Sequence, residues 1–166
     1  MSEPLVIFSH GQESGPWGSK IRRLADVATA RGFAVESIDY TDLKDPEARV
    51  KRLCERAPAA TPLILAGSSM GGYVAARASA TLEVTGLFLL APAFGLERYN
   101  LPTPPLRAPK CTIVHGWDDE VVPVAPVIEQ ARAARAELHV VPDGHRLIDS
   151  LDLIADWFEQ FLRRCR

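Results

Sequence analysis

The chain has 166 residues, 47% of them apolar and 24% charged, with a formal net charge of −2. That length suits one domain spanning residues 1–166, with enough chain to bury roughly two-thirds of the unfolded surface. The near-neutral balance gives no electrostatic reason to expect nucleic acid or an anionic membrane as partner, so function must reside in a site.

Three cysteines, Cys54, Cys111 and Cys165, are scattered without C-x-x-C or metal-ligand spacing, and they read as reduced thiols. No metal and no organic cofactor is expected. The start, Met1-Ser2-Glu3-Pro4, lacks a basic region followed by an apolar stretch of signal-peptide length. No apolar run approaches the ~20 residues that span a bilayer. The expected location is therefore the cytoplasm, as a monomer or homodimer.

Apolar runs and helical periodicities alternate along the chain. Leu5 to Phe8 reads as a buried strand, followed by a glycine-rich loop from Gly11 to Gly18. Ser19 to Arg31 has apolar residues at Ile21, Leu24, Ala25, Val27 and Ala28, a helical spacing that Gly32 closes. Phe33 to Tyr40 alternates as a more exposed strand would. Asp45-Pro46 caps a helix running to about Arg56. Pro62 to Ala66 is a second buried strand, and an alanine-rich helix from Met70 to Ala80 follows Gly67-Ser68-Ser69. Val84 to Leu90 and Cys111 to His115 are further strands, separated by a proline-rich irregular stretch from Ala93 to Pro109. Pro126 to Arg135 reads as helix, Glu137 to Val141 as strand, and Ile148 to Arg164 as a closing amphipathic helix. This alternation predicts an α/β fold: a doubly wound, mostly parallel sheet of about six strands with helices on both faces. Right-handed crossovers bring the loops after the strands to one edge.

Four of those loops carry candidate chemistry. Gly67-Ser68-Ser69-Met70-Gly71 matches G-x-S-x-G between a buried strand and a helix. A serine hydroxyl is a weak nucleophile that must be aimed at a base and a carbonyl together, and a sharp turn from strand to helix does this. Crowding at that turn favours glycine two residues before and after the serine. His115-Gly116-Trp117-Asp118-Asp119 can supply an acid that orients a histidine. Asp119 is preferred because Val122-Pro123 turns the chain back toward the protein, with Asp118 as the alternative. Pro142-Asp143-Gly144-His145 offers a base on a loop, ahead of His139 within a strand and His115 at a turn. Ser9-His10-Gly11-Gln12 follows the first strand, where a loop can lend an N–H to an oxyanion hole. Met70 N–H is the first expected donor and Gln12 N–H the second, with Gly11 the alternative.

Together, His10-Gly11, Gly67 to Gly71, His115 to Asp119 and Gly144-His145 resemble the α/β-hydrolase superfamily over nearly the whole chain. Its length and its Ser-His-Gly-x-x-Ser-Gly start are similar to small lidless bacterial esterase-like serine hydrolases. The resemblance implies a catalytic triad of Ser69, Asp119 and His145 and an acyl-enzyme route. Two departures stand out: the pattern begins at the strand feeding the oxyanion loop, without the family's leading antiparallel strands, and the stretch between the fourth and fifth strands is too short for a cap domain. Both imply a minimal core with an open site.

The expected reaction is hydrolysis of a small-molecule carboxylic ester or thioester on Ser69, with no nucleic acid or membrane involved. A mouth lined by Trp17, Phe94, Tyr99, Leu101 and Trp117 would suit a modest apolar group. Competing readings are an amidase, peptidase or lactone hydrolase with the same triad, a non-catalytic binding module on the same fold, and a flavodoxin-like nucleotide binder. No G-x-G-x-x-G or Walker pattern follows a strand to favour the last.

Overall fold

The computed structural model describes residues 2–97 and 103–166. In chain order the elements are β1 (Leu5–Ser9), α1 (Ser19–Ala30), β2 (Ala34–Ile38), α2 (Pro46–Arg56), β3 (Leu63–Ser68), α3 (Met70–Ala78), β4 (Gly86–Leu90), β5 (Lys110–Gly116), α4 (Val124–Ala134), β6 (Glu137–Val141) and α5 (Leu151–Arg164). The strands form one sheet in the order β2-β1-β3-β4-β5-β6, and all five pairings are parallel.

The inner strands β1, β3 and β4 are buried along their whole length. They read as continuous apolar runs because both faces of the sheet are covered. Successive residues point to opposite faces. Leu5 and Ile7, Leu63 and Leu65, and Leu87 and Leu89 join a core with Leu53 of α2, Tyr73 and Val74 of α3 and Val127 and Ala131 of α4. Val6 and Phe8, Ile64, and Phe88 and Leu90 join the opposite core with Ile21, Leu24 and Ala28 of α1 and Ile154, Phe158 and Phe161 of α5. Helices thus cover both faces, as the alternation predicted. The edge strands β2 and β6 are only partly buried, which is why Phe33 to Tyr40 alternates in sequence.

Local signals mark most boundaries. Asp45 caps α2, its carboxylate accepting the Ala48 N–H at 3.2 Å. Gly32, at φ 76°, ends α1. Its N–H donates to the Thr29 carbonyl and that of Phe33 to the Ala28 carbonyl, both at 3.0 Å, a Schellman closure. Phe33 therefore belongs to the turn, and β2 is shorter than its alternation implies. Helix α4 starts two residues before Pro126, which lies in its first turn, where a missing N–H has no helical partner to lose. Helix α5 begins at Leu151 rather than Ile148, because the Asp143 carboxylate takes the Ser150 N–H just ahead of it.

The sheet reverses direction of growth between β1 and β3: the chain winds outward from β1 to β2, then returns to β3 on the other side. A crevice opens beyond the carboxyl ends of strands at such a point, and the loops after β1 and β3 meet there. No helix among the described residues is long and apolar enough to cross a membrane.

Phe158 is fully buried, with its ring centroid 4.8 Å from that of Phe88 and 6.3 Å from that of Phe8. Phe158→Ala is expected to cost about 3–5 kcal/mol of stability by removing this contact and leaving a cavity. Urea unfolding reads that loss directly, and a change under about 1 kcal/mol would mean the aromatic cluster is not the anchor of α5.

Candidate active site

Ser69 lies between β3 and α3 with φ 56° and ψ −118°, a conformation that non-glycine residues rarely hold. Its surroundings enforce it. The Ser69 N–H donates to the Leu90 carbonyl and the Ser69 carbonyl accepts from Ala93, both at 2.9 Å. A Cβ on Gly67 would run into the Gly71 backbone, and one on Gly71 into the Ser9 carbonyl at the end of β1. The glycines of the motif thus let helix, strand and neighbouring strand touch backbone to backbone.

Three loops meet at the serine. Ser69 Oγ lies 3.0 Å from His145 Nε2, and His145 Nδ1 lies 2.8 Å from Asp119 Oδ2. The Asp119 side chain is fully buried. Its Oδ1 accepts the N–H groups of Val121 and Val122 at 2.9 and 2.7 Å. Burial pushes its pKa up, but hydrogen bonds from His145, Val122 and Val121 outweigh this and leave the carboxyl below its ordinary value. Asp118 is exposed, with its N–H on the Asp143 carbonyl at 3.1 Å. The choice between the two acids thus falls to Asp119.

The His145 loop is braced by Asp143, whose carboxylate accepts the N–H groups of Gly144 at 2.7 Å and Ser150 at 2.9 Å. A Cβ on Gly116 would strike the Asp143 carbonyl, so the acid loop and the base loop pack directly on each other. His115 braces the acid loop, fully buried, its Nε2 donating to the Val122 carbonyl at 2.9 Å and lying 3.3 Å from Asp119 Oδ2. His139 stacks on Trp157, ring centroids 3.9 Å apart, and bonds Glu137, away from the serine.

The loop after β1 is held from below by a buried polar network that local spacing does not reveal. Arg49, 1% exposed, donates from Nη1 to the carbonyls of His10 (3.2 Å) and Gly11 (3.1 Å) and from Nε to that of Leu43 (2.8 Å). His10 Nε2 accepts the Tyr40 N–H at 2.9 Å, so its Nδ1 carries the proton donated to the Gly11 carbonyl at 2.7 Å. Tyr40 OH reaches Ser9 Oγ at 3.0 Å. With the Gly11 carbonyl bound on that side, the trans peptide turns the Gln12 N–H the other way. Gln12, Gly11 and Met70 all line the cleft over Ser69. Arg49 reads in the sequence as an ordinary helix-surface charge; its only sequence signal is its place on the apolar face of α2, four residues before Leu53.

The cleft has a volume of about 580 Å³ and is lined by Gln12, Lys20, Ile21, Leu96, Val121 and Ile148 among others, a size suited to a small molecule. Of the expected aromatic mouth, the members among the described residues do not line the cleft. Phe94 is in the core at 1% exposure, where the turn closed by its N–H on the Pro92 carbonyl directs it. Trp17 and Trp117 are exposed but do not line the cleft, and Tyr99 and Leu101 lie outside the described residues. Apolar size alone does not separate core from mouth. Among the described residues no group of three or more His, Cys, Asp or Glu side chains could hold a metal ion.

A parallel doubly wound sheet with a serine on a strained strand–helix turn, in line with a histidine and a buried aspartate from later loops, is the architecture of an α/β-hydrolase-like fold. Comparison with known proteins agrees. Residues 29–110 match the family described as serine aminopeptidase, S33. A Xanthomonas campestris pv. campestris protein assigned to the α/β superfamily of hydrolases is 38% identical, with TM-score 0.89 over 97% of this chain and 99% of that one. At 21% identity, a Pyrococcus furiosus esterase gives TM-score 0.77 over 99% of this chain and 84% of that one. A Xanthomonas campestris α/β serine hydrolase without a lid gives 0.71 over 99% and 83%, also at 21% identity. No curated protein matches the chain in sequence. The chain belongs to the α/β-hydrolase superfamily.

Burial holds His10 and His115 below their ordinary pKa of 6.5. The unfolded chain therefore binds more protons than the folded one as pH falls below 6.5, and stability is lost in that direction. The melting temperature is expected to drop between about pH 7 and pH 5, and to drop less in His115→Gln. A flat profile over that range would show that neither imidazole is held neutral by the fold.

Proposed function

We propose that the protein is a serine hydrolase that cleaves small carboxylic esters or thioesters through an acyl-enzyme on Ser69. The observation that carries this is the unbroken line of hydrogen bonds from Ser69 Oγ through His145 to Asp119. Asp119 is ionised and can only accept, so His145 Nδ1 carries the proton and the Nε2 lone pair faces the serine hydroxyl. His145 then takes the Ser69 proton as Oγ attacks the carbonyl carbon. Negative charge develops on the carbonyl oxygen, where the N–H groups of Met70, at the start of α3, and Gln12 stabilise it. The imidazolium, steadied by Asp119, returns the proton to the departing alcohol or thiol. Water attacks the acyl-enzyme through the same base and releases the acid. No step calls for a metal or cofactor.

The match to the serine aminopeptidase family favours a second reading, cleavage of an amide by the same residues. The two differ in the leaving group alone, and parallel rates on ester, thioester and aminoacyl-anilide substrates separate them.

A fluorophosphonate probe should label wild-type protein and not Ser69→Ala. Asp119→Asn is expected to lower kcat by about 10³–10⁴-fold with the fold intact, because it frees the wrong imidazole tautomer. Labelling of the Ser69→Ala protein, or Asp119→Asn activity within about tenfold of wild type, would remove these residues from their roles. An unlabelled, folded wild type would favour the binding module instead.

A further inference from the structure

Lys20 is the second residue of α1 and lines the cleft over Ser69. It is partly buried, yet its ammonium has no hydrogen bond or ion pair among the described residues. Every other partly or fully buried lysine or arginine described has one: Arg31 with Glu159, Arg52 with Asp42, Arg77 with Glu47, and Arg49 with the loop carbonyls. Burial lowers the pKa of Lys20, and the nearby Arg146 guanidinium lowers it further. Asp119 and Asp143 act in the opposite direction, but both are committed elsewhere, to His145 and to the backbone N–H groups of their own loops. The position is also unfavourable locally: α1 has no acidic residue in its first turn, and the positive end of a helix opposes a cation there.

Arg146, next to the base, is exposed and lines the same cleft. Glu13 is the one carboxylate among the lining residues, and it pairs with neither cation within ion-pair distance. Two cations without a partner among the described residues thus face one cavity beside Ser69, in a protein whose net charge is −2. A bound anion would relieve their mutual repulsion and the partial desolvation of Lys20 together. Lysine offers a point charge and arginine a planar fork, a combination that suits carboxylate or phosphate oxygens.

We propose that Lys20 and Arg146 form a cationic subsite that selects esters carrying an anionic group, a carboxylate or phosphate, in addition to the bond cleaved at Ser69. This rests on the reading of Ser69 as nucleophile, and two measurements keep the claims separate.

The first is the ratio of kcat/KM for mono-para-nitrophenyl succinate over para-nitrophenyl butyrate. It should favour the charged ester by about tenfold at low ionic strength and shrink as salt is added. Lys20→Met and Arg146→Gln should each cut that ratio severalfold. Arg146 is exposed, so its variant carries the test if Lys20→Met does not fold. A ratio near one in wild type, or one unchanged in both variants, overturns the proposal.

The second is calorimetric binding to the Ser69→Ala protein, which needs no turnover. Succinate should bind more tightly than butyrate, and Arg146→Gln in that background should abolish most of the difference; equal binding of the two acids overturns the subsite. Tighter binding of phenyl phosphate than of succinate assigns phosphate as the preferred group, and the reverse assigns carboxylate. Succinate selectivity in a wild type that neither ester nor fluorophosphonate engages would leave the subsite standing and sink the hydrolase reading. A labelled Ser69 without succinate selectivity would do the opposite.

Discussion

The backbone at Ser69 turns from strand into helix through a conformation an L-residue resists, and the site depends on that turn being held. Strain of this kind persists only where the surroundings over-determine it. Here they do so through main-chain contact: Leu90 and Ala93 grip the Ser69 peptide groups, while Gly67 and Gly71 let α3 sit directly on β3 and on the end of β1. The turn that raises the hydroxyl also leaves the Met70 N–H at the open start of a helix, where orphan donors gather. The proposed nucleophile and the proposed oxyanion donor are thus products of one backbone event.

The other two loops solve a different problem. Residues on loops are positioned only as well as the loops are braced, and both are braced by buried polar groups, with Leu147 adding an apolar anchor to the His145 loop. Beneath the β1 loop, Arg49 and His10 bind successive carbonyls, which fixes the peptide that presents Gln12. Beneath the site, the Asp143 carboxylate braces the His145 loop, the His115 ring braces the Asp119 loop, and the Asp118 N–H on the Asp143 carbonyl joins the two. A buried polar network rigidifies when satisfied and is costly when broken, so these residues tie stability to site geometry. The neutral, buried imidazoles carry this coupling into pH.

The cleft carries two cations, Lys20 and Arg146, with Glu13 the one carboxylate in its lining. Surface cations such as Arg23 and Arg164 meet carboxylates, as solvated charges commonly do at little net gain. Among the described residues Lys20 and Arg146 meet none, and both line the cleft over Ser69. Charge left uncompensated in a concave site is available to a ligand, whereas the same charge on an open surface is screened by water and salt.

What the sequence determined by itself is what short stretches of chain impose on themselves. Continuous apolar runs marked the strands covered on both faces, helical spacing marked their partners, and Gly67-x-Ser69-x-Gly71 marked the elbow, because strand pleat, helix pitch and the crowding of a tight turn act between near neighbours. Tertiary structure alone decided the rest. Asp118 and Asp119 are the same chemical group, and although Val122-Pro123 favours Asp119, the convergence of the Val121 and Val122 N–H groups and of His145 on its carboxylate is tertiary. Phe94 is large and apolar whether it fills the core or a mouth. Arg49 acts on a carbonyl 39 residues away, and Lys20 acquires significance only when Arg146 is folded across from it. Such roles depend on contacts between distant segments, which the packing of helices on the two faces of the sheet creates and no local spacing records.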